Sequence, residues 1–140
     1  MIHISESITG SEPIALSDQK SWMRVLYSDE DSLITSLITE TRSVIESYLG
    51  ISIIAKTITL TLTNRSYIQL PYGPVTAIVS VKDKDGDDLE YEVLNEKITF
   101  SETVEYAIIV YTTDIGTVPS GLELALKQVC MRYFENRCRS

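Results

Sequence analysis

Histidine occurs once in these 140 residues, as His3, and cysteine twice, as Cys130 and Cys138. That scarcity removes whole classes of chemistry. A histidine-based triad or a zinc centre needs several groups fixed in one cleft, and His3 lies in a polar opening stretch, MIHISESITG, where it reads as an exposed terminal residue. The two cysteines fall eight positions apart on one expected helix. Roughly 12 Å would separate them along its axis, beyond the reach of a disulfide. Cys130 therefore reads as a small core residue and Cys138 as a free thiol. The six glycines are dispersed among turns and caps, not gathered into a phosphate-cradling loop. No apolar run approaches the roughly 20 residues that span a bilayer, and the N-terminus lacks the basic start and apolar centre of a signal peptide. No membrane contact is expected, and the protein reads as soluble and non-secreted. Lys and Arg number 12 against 20 Asp and Glu, a formal net charge of -8. General nucleic-acid binding is disfavoured by that balance, because phosphate neutralisation needs clustered cations. No nucleophile–base pair can be named, so neither an enzyme nor a cofactor nor a metal site is expected.

What is present is architecture. Apolar residues make up 44% of the chain and charged residues 23%, ordinary globular usage, and the length suits one domain. Residues 1–12 show no clear period and are expected to form a flexible arm. A first helix is expected over about 18–27, with Ser17 as N-cap and Trp22, Met23, Val25 and Leu26 supplying apolar surface. A second, over about 29–49, has Leu33, Ile34, Leu37, Ile38, Val44, Ile45, Tyr48 and Leu49 on one stripe. Thr41 fills the gap in that stripe, Ser28 or Asp29 can cap its start, and Gly50 can take the left-handed conformation that ends it. From Thr57 the period changes to two, with Thr alternating against Ile58, Leu60 and Leu62. Further strands are expected at Tyr67–Leu70, Val75–Lys82, Leu89–Leu94, Ile98–Phe100 and Tyr106–Thr112, separated by turn-forming clusters. After Pro119 the period is helical again to about residue 137, with Ser120 and Glu123 at capping-box spacing. Leu122, Ala125, Leu126, Val129, Cys130, Tyr133 and Phe134 form its apolar face. The expected class is α+β: an N-terminal helical hairpin, an antiparallel β-meander insertion over about 53–113, and a C-terminal helix packing on the helical core.

Charge is segregated along the chain. Asp83 to Glu105 holds nine carboxylates against Lys84 and Lys97, whereas Lys127, Arg132, Arg137 and Arg139 face Glu135 alone in the last stretch. The run Asp83-Lys84-Asp85-Gly86-Asp87-Asp88 resembles part of a calcium loop. Aligning Gly86 with the required glycine, however, puts apolar Val81 at the first ligand position, so a solvated hairpin turn is the better reading. Acids such as Glu90 and Glu92 around Tyr91 suit a sheet edge kept soluble. The best functional candidate is the tract Arg132, Tyr133, Phe134, Arg137 and Arg139, since Arg and aromatic residues are enriched at protein interfaces. A helix that buries its apolar face in its own domain and carries a favourable basic end explains the same residues equally well.

The order of segments resembles a known family. EPIALSDQKSWMRVL followed by DEDSLITSLITETRSVIESYLG is similar to the opening of small phage head–tail connector proteins, also called adaptor or head-completion proteins. In the second helix Leu33, Ile34, Leu37, Ile38, Arg42, Glu46, Tyr48 and Gly50 stand at the family's positions. IQLPYGPVTAIVSVKDKDG resembles the family's middle segment, and VPSGLELALKQVCMRYFENR its closing helix. The resemblance covers about residues 12–138 and implies one connector-like domain over 13–140. It also implies a structural protein at the virion's head–tail junction, assembled in the host cytoplasm. Its partners would be further copies in a ring, commonly of twelve, together with the portal protein and the next neck or tail protein. DNA would pass through without specific binding, and Arg132, Tyr133, Phe134, Arg137 and Arg139 would be candidate portal contacts. The alternatives are another neck or tail-completion component, or a small regulatory or ligand-binding domain with a pocket in its β-sheet.

Overall fold

The computed structural model describes residues 2–139, with side chains through residue 136. Its contacts divide the chain into two compact units, Met1–Gly10 with Gly50–Gly116, and Ser11–Leu49 with Thr117–Ser140.

The first unit is a five-stranded antiparallel sheet of β1 (Ile2–Ile8), β2 (Lys56–Gln69), β3 (Val75–Lys82), β4 (Glu92–Leu94) and β5 (Lys97–Thr113). Alternation along β2 sends Ile58, Leu60 and Leu62 inward, where they stand opposite Tyr111, Ile109 and Ala107 of β5. All six are fully buried. Ile68, Leu70, Val81, Ile98 and Phe100 complete this apolar core. The strand order is β1-β2-β5-β3, with β4 also on β5, so β5 runs between β2 and β3.

Two expected pairs of short strands are each one long strand. The polar run Asn64-Arg65-Ser66 reads as a turn, yet β2 continues through it. Asn64 takes a left-handed φ of 53°, which asparagine tolerates, and the ladder absorbs the irregularity as a bulge. Arg65 pairs with Val104 and Tyr67 with Thr99, so β5 spends residues 100–103 where β2 spends Ser66 alone. On its other side β5 pairs with β4 at residues 97–99 and with β3 at residues 108–113. Between them, residues 100–107 have no strand partner on that side.

Residues 2–8 correct the expectation of a flexible arm. They pair with β2 in unbroken register, from Ile2 opposite Leu62 to Ile8 opposite Lys56, because β2 would otherwise present a row of unpaired amides and carbonyls. The Thr9 and Gly10 amides then both donate to the Ala55 carbonyl, at 2.9 and 3.0 Å. A Cβ on Gly10 would lie 3.0 Å from the Ala55 nitrogen, so glycine permits that approach.

The second unit holds α1 (Leu16–Met23), α2 (Asp31–Leu49) and α3 (Ser120–Arg139), each in contact with the other two. Helix α1 starts and stops earlier than its pattern implies. Ala15 is the N-cap, without a side-chain hydrogen bond, so Ser17 lies inside the first turn. Arg24 is left-handed at φ 61°, and its amide bonds back to the Lys20 and Ser21 carbonyls. Leu26, expected on the apolar face, is consequently 96% exposed. Helix α2 ends at Gly50 as expected, with φ 69°. Helix α3 begins at Ser120 itself, and the Glu123 amide donates to the Pro119 carbonyl.

Leu60 is fully buried in the apolar core of the sheet, so Leu60→Ala is expected to cost about 2–5 kcal/mol of stability. Urea unfolding, read as a lowered midpoint at unchanged slope, measures it.

Candidate interaction surfaces

Helix α2 buries a face that differs from its apolar stripe. Ile34, Ile38, Thr41, Arg42 and Glu46 are buried, whereas Val44, Tyr48 and Leu49 are exposed. The row from Ile34 to Ile38 continues by steps of four to Arg42 and Glu46, neighbours on one helix face. Arg42 donates through Nε to Glu12 at 2.8 Å and through Nη1 to Glu46 at 2.6 Å. Burial alone would lower the pKa of this guanidinium, but the carboxylates of Glu12 and Glu46 outweigh it and raise the value above the ordinary guanidinium range. The sequence carried a signal for this cluster in the i,i+4 spacing of Arg42 and Glu46. Glu12, thirty residues away, carried none.

Thr41, on the same face, meets Cys130 of α3. Burial raises the Cys130 thiol to about 11, and the neighbouring Thr41 hydroxyl only partly offsets that. Among the described residues Cys130 is a buried free thiol, a core role as its place on the apolar face implies; Cys138 lies outside the described side chains. The Gln19 side chain is also buried and donates to the Lys127 carbonyl at 3.1 Å. This unit is thus held by polar contacts as well as by Ile34, Ile38 and Leu126.

The basic tract of α3 divides by burial. Phe134 follows Leu126 and Cys130 at steps of four and is buried with them, so it supports the helix from inside and is not part of an exposed surface. Arg132 is exposed and Tyr133 is 36% exposed. Arg137 and Arg139 fall on the helix, but their side chains lie outside the described residues.

In the sheet unit the acidic stretch is a hairpin turn. The Asp83 carboxylate accepts the Asp85 and Asp87 amides at 2.9 and 3.0 Å, which occupies one oxygen that a cation would need. Beside this turn run two open grooves. One, of about 580 Å³, is lined by residues 89–92 and 99–101; the other, of about 230 Å³, by residues 83–85, Leu89 and residues 104–106. Elsewhere the sheet is tied by its own polar groups. Tyr111 donates to the Pro71 carbonyl at 2.7 Å, Ser52 to the Tyr72 carbonyl at 2.5 Å, and Thr113 to Ser52 at 2.8 Å. Glu96, in a turn where both Asn95 and Glu96 have positive φ, accepts the Val75 amide at 2.9 Å.

The sequence matches the Head completion protein family over residues 12–139, which spans both units. The chain belongs to that family. Among solved structures it is similar to a chain from the neck of an empty gene transfer agent particle computed with C6 symmetry. That match has 16% identity and a TM-score of 0.74, covering 94% of this chain and 84% of the other. A chain of the native gene transfer agent virion matches at 15% identity and TM-score 0.73, over 93% of this chain and 84% of that one. A chain of the native neck computed with C12 symmetry matches at 16% and 0.67, over 94% and 83%. At these identities the likeness is one of fold. No curated protein matches the sequence significantly.

Two measurements test the helical unit. Arg42→Met removes the guanidinium that pairs with both Glu12 and buried Glu46 and is expected to cost about 3–5 kcal/mol, while adding Glu46→Leu recovers part of that loss; urea unfolding of both variants decides it. Cys130 and Tyr111 both hold their protons more tightly folded than unfolded, each chiefly through burial. The unfolded chain therefore binds fewer protons at alkaline pH. Stability should hold below about pH 9 and fall as pH rises towards the folded Cys130 value of about 11, measured by unfolding across pH.

Proposed function

We propose that this chain is a non-catalytic structural adaptor of a tailed phage or phage-derived particle, placed at the head–tail junction. It assembles as a ring, docks beneath the portal protein, extends the DNA channel and seats the next neck or tail protein. The family match over residues 12–139 carries this reading. The sixfold and twelvefold symmetries named for the similar necks support a ring, and we take its number as twelve.

A closed ring joins subunits head to tail, so each copy needs two different complementary surfaces. The outer face of α2, where Val44 and Tyr48 stand exposed, and the sheet edges supply surfaces of that kind. Towards the portal, the exposed part of the α3 tract offers Arg132 and Tyr133, continued in sequence by Arg137 and Arg139. The excess of acid suits a channel wall, since a surface that neutralised phosphates would bind the DNA it has to pass. The rival reading of a ligand-binding domain needs a hollow sheet. Here Ile58, Leu60, Leu62, Ile109 and Tyr111 belong to one buried apolar cluster, which favours the adaptor reading.

Purified protein mixed with its portal should form rings seated on the portal, seen by mass measurement and electron microscopy. Arg132→Glu with Tyr133→Ala should weaken portal binding by about tenfold or more at unchanged thermal stability. A protein that never binds portal assemblies would overturn the proposal; a monomer in isolation would not.

A further inference from the structure

Between β4 and β3 the gap along β5 leaves eight residues of strand edge uncovered in the sheet unit. On the side away from β2, residues 100–107 have no paired strand, and among the described residues no backbone hydrogen bond from a loop replaces one. The other edge on that side is blunted, since β3 carries two bulges and β4 is only three residues long. The two grooves described above run along this gap and share Leu89 as a common wall. Their lining is aromatic and predominantly acidic, with Tyr91 and Tyr106 among the carboxylates Asp83, Asp85, Glu90, Glu92 and Glu105 against the single cation Lys84. Among the described residues Asp85, Glu90, Glu92 and Glu105 hold no ion pair; nearby Lys82 reaches Asp88 at 3.9 Å and Lys97 lies over the Tyr67 ring.

We infer that the gap beside residues 100–107 of β5 is a docking groove for an extended, basic segment of the next neck or tail protein, bound as an added strand. The open backbone supplies main-chain hydrogen bonds to any extended chain. Selection comes from the walls. Carboxylates without ion partners favour Arg or Lys on the segment, and the partly exposed rings of Tyr91 and Tyr106 favour a guanidinium stacked on them. The source of the segment rests on the adaptor reading; the chemistry of the groove does not.

The test uses the isolated full-length chain and a labelled octapeptide of alternating Arg and Val. A second peptide of the same charge carries proline at two of the Val positions, so that it cannot complete a strand. The alternating peptide should bind and should slow hydrogen exchange across residues 100–107, while the proline peptide does neither. Glu90→Gln, Glu92→Gln and Glu105→Gln together, at exposed positions that leave the fold intact, should weaken binding about tenfold and flatten its salt dependence. Equal binding of both peptides, or saturation without added protection at residues 100–107, overturns the inference. Neither result depends on the portal, so failure here leaves portal docking standing, and loss of portal binding leaves this result unchanged.

Discussion

The ladder between β2 and β5 is the constraint from which the rest of the sheet unit follows. Two strands of 14 and 17 residues pair from end to end, and nearly every buried side chain of the unit lies on one of them or is packed against them. Once these backbones are committed to each other, the remaining strands have few places to go. Strand β1 can only extend the outer edge of β2, and β3 and β4 can only share the far side of β5. Since β3 and β4 together are shorter than β5, part of that side stays uncovered. The open edge at residues 100–107 is therefore a consequence of unequal strand lengths.

The helical unit solves a different problem. One short and two long helices bury a modest apolar seam, and α2 contributes Arg42 and Glu46 to its buried face. Such a pair gains little over a hydrophobic replacement, since desolvation consumes most of its Coulombic attraction. What it adds is position. Arg42 takes Glu12 from the segment entering the unit and Glu46 from its own helix, so the entering chain is held at one point on α2. The basic end belongs to the helical unit and the acidic middle to the sheet unit, so charge is sorted by region.

Much of this was legible from residue order. The Thr-against-aliphatic alternation located β2, the spacing of apolar residues located α2 and α3, and Gly50 marked where α2 ends. The order of those pieces around a β insertion pointed to the family before any geometry was known. The failures share one cause, which is that local signals do not see partners. Asn64-Arg65-Ser66 has turn chemistry, yet the ladder to β5 carries the strand through it. Residues 2–8 have no burial pattern of their own, since every one of them is exposed, and they become a strand only because β2 has an edge to offer.

The sequence by itself therefore determined the element types, the α+β class and the scarcity of catalytic groups. Each depends on periodicity and residue chemistry within a short window. Only the tertiary structure decided that Phe134 faces inward, that Arg42 is buried between two carboxylates, and that residues 100–107 of β5 are left open. Those outcomes depend on which distant residues arrive beside them, and no local period encodes that.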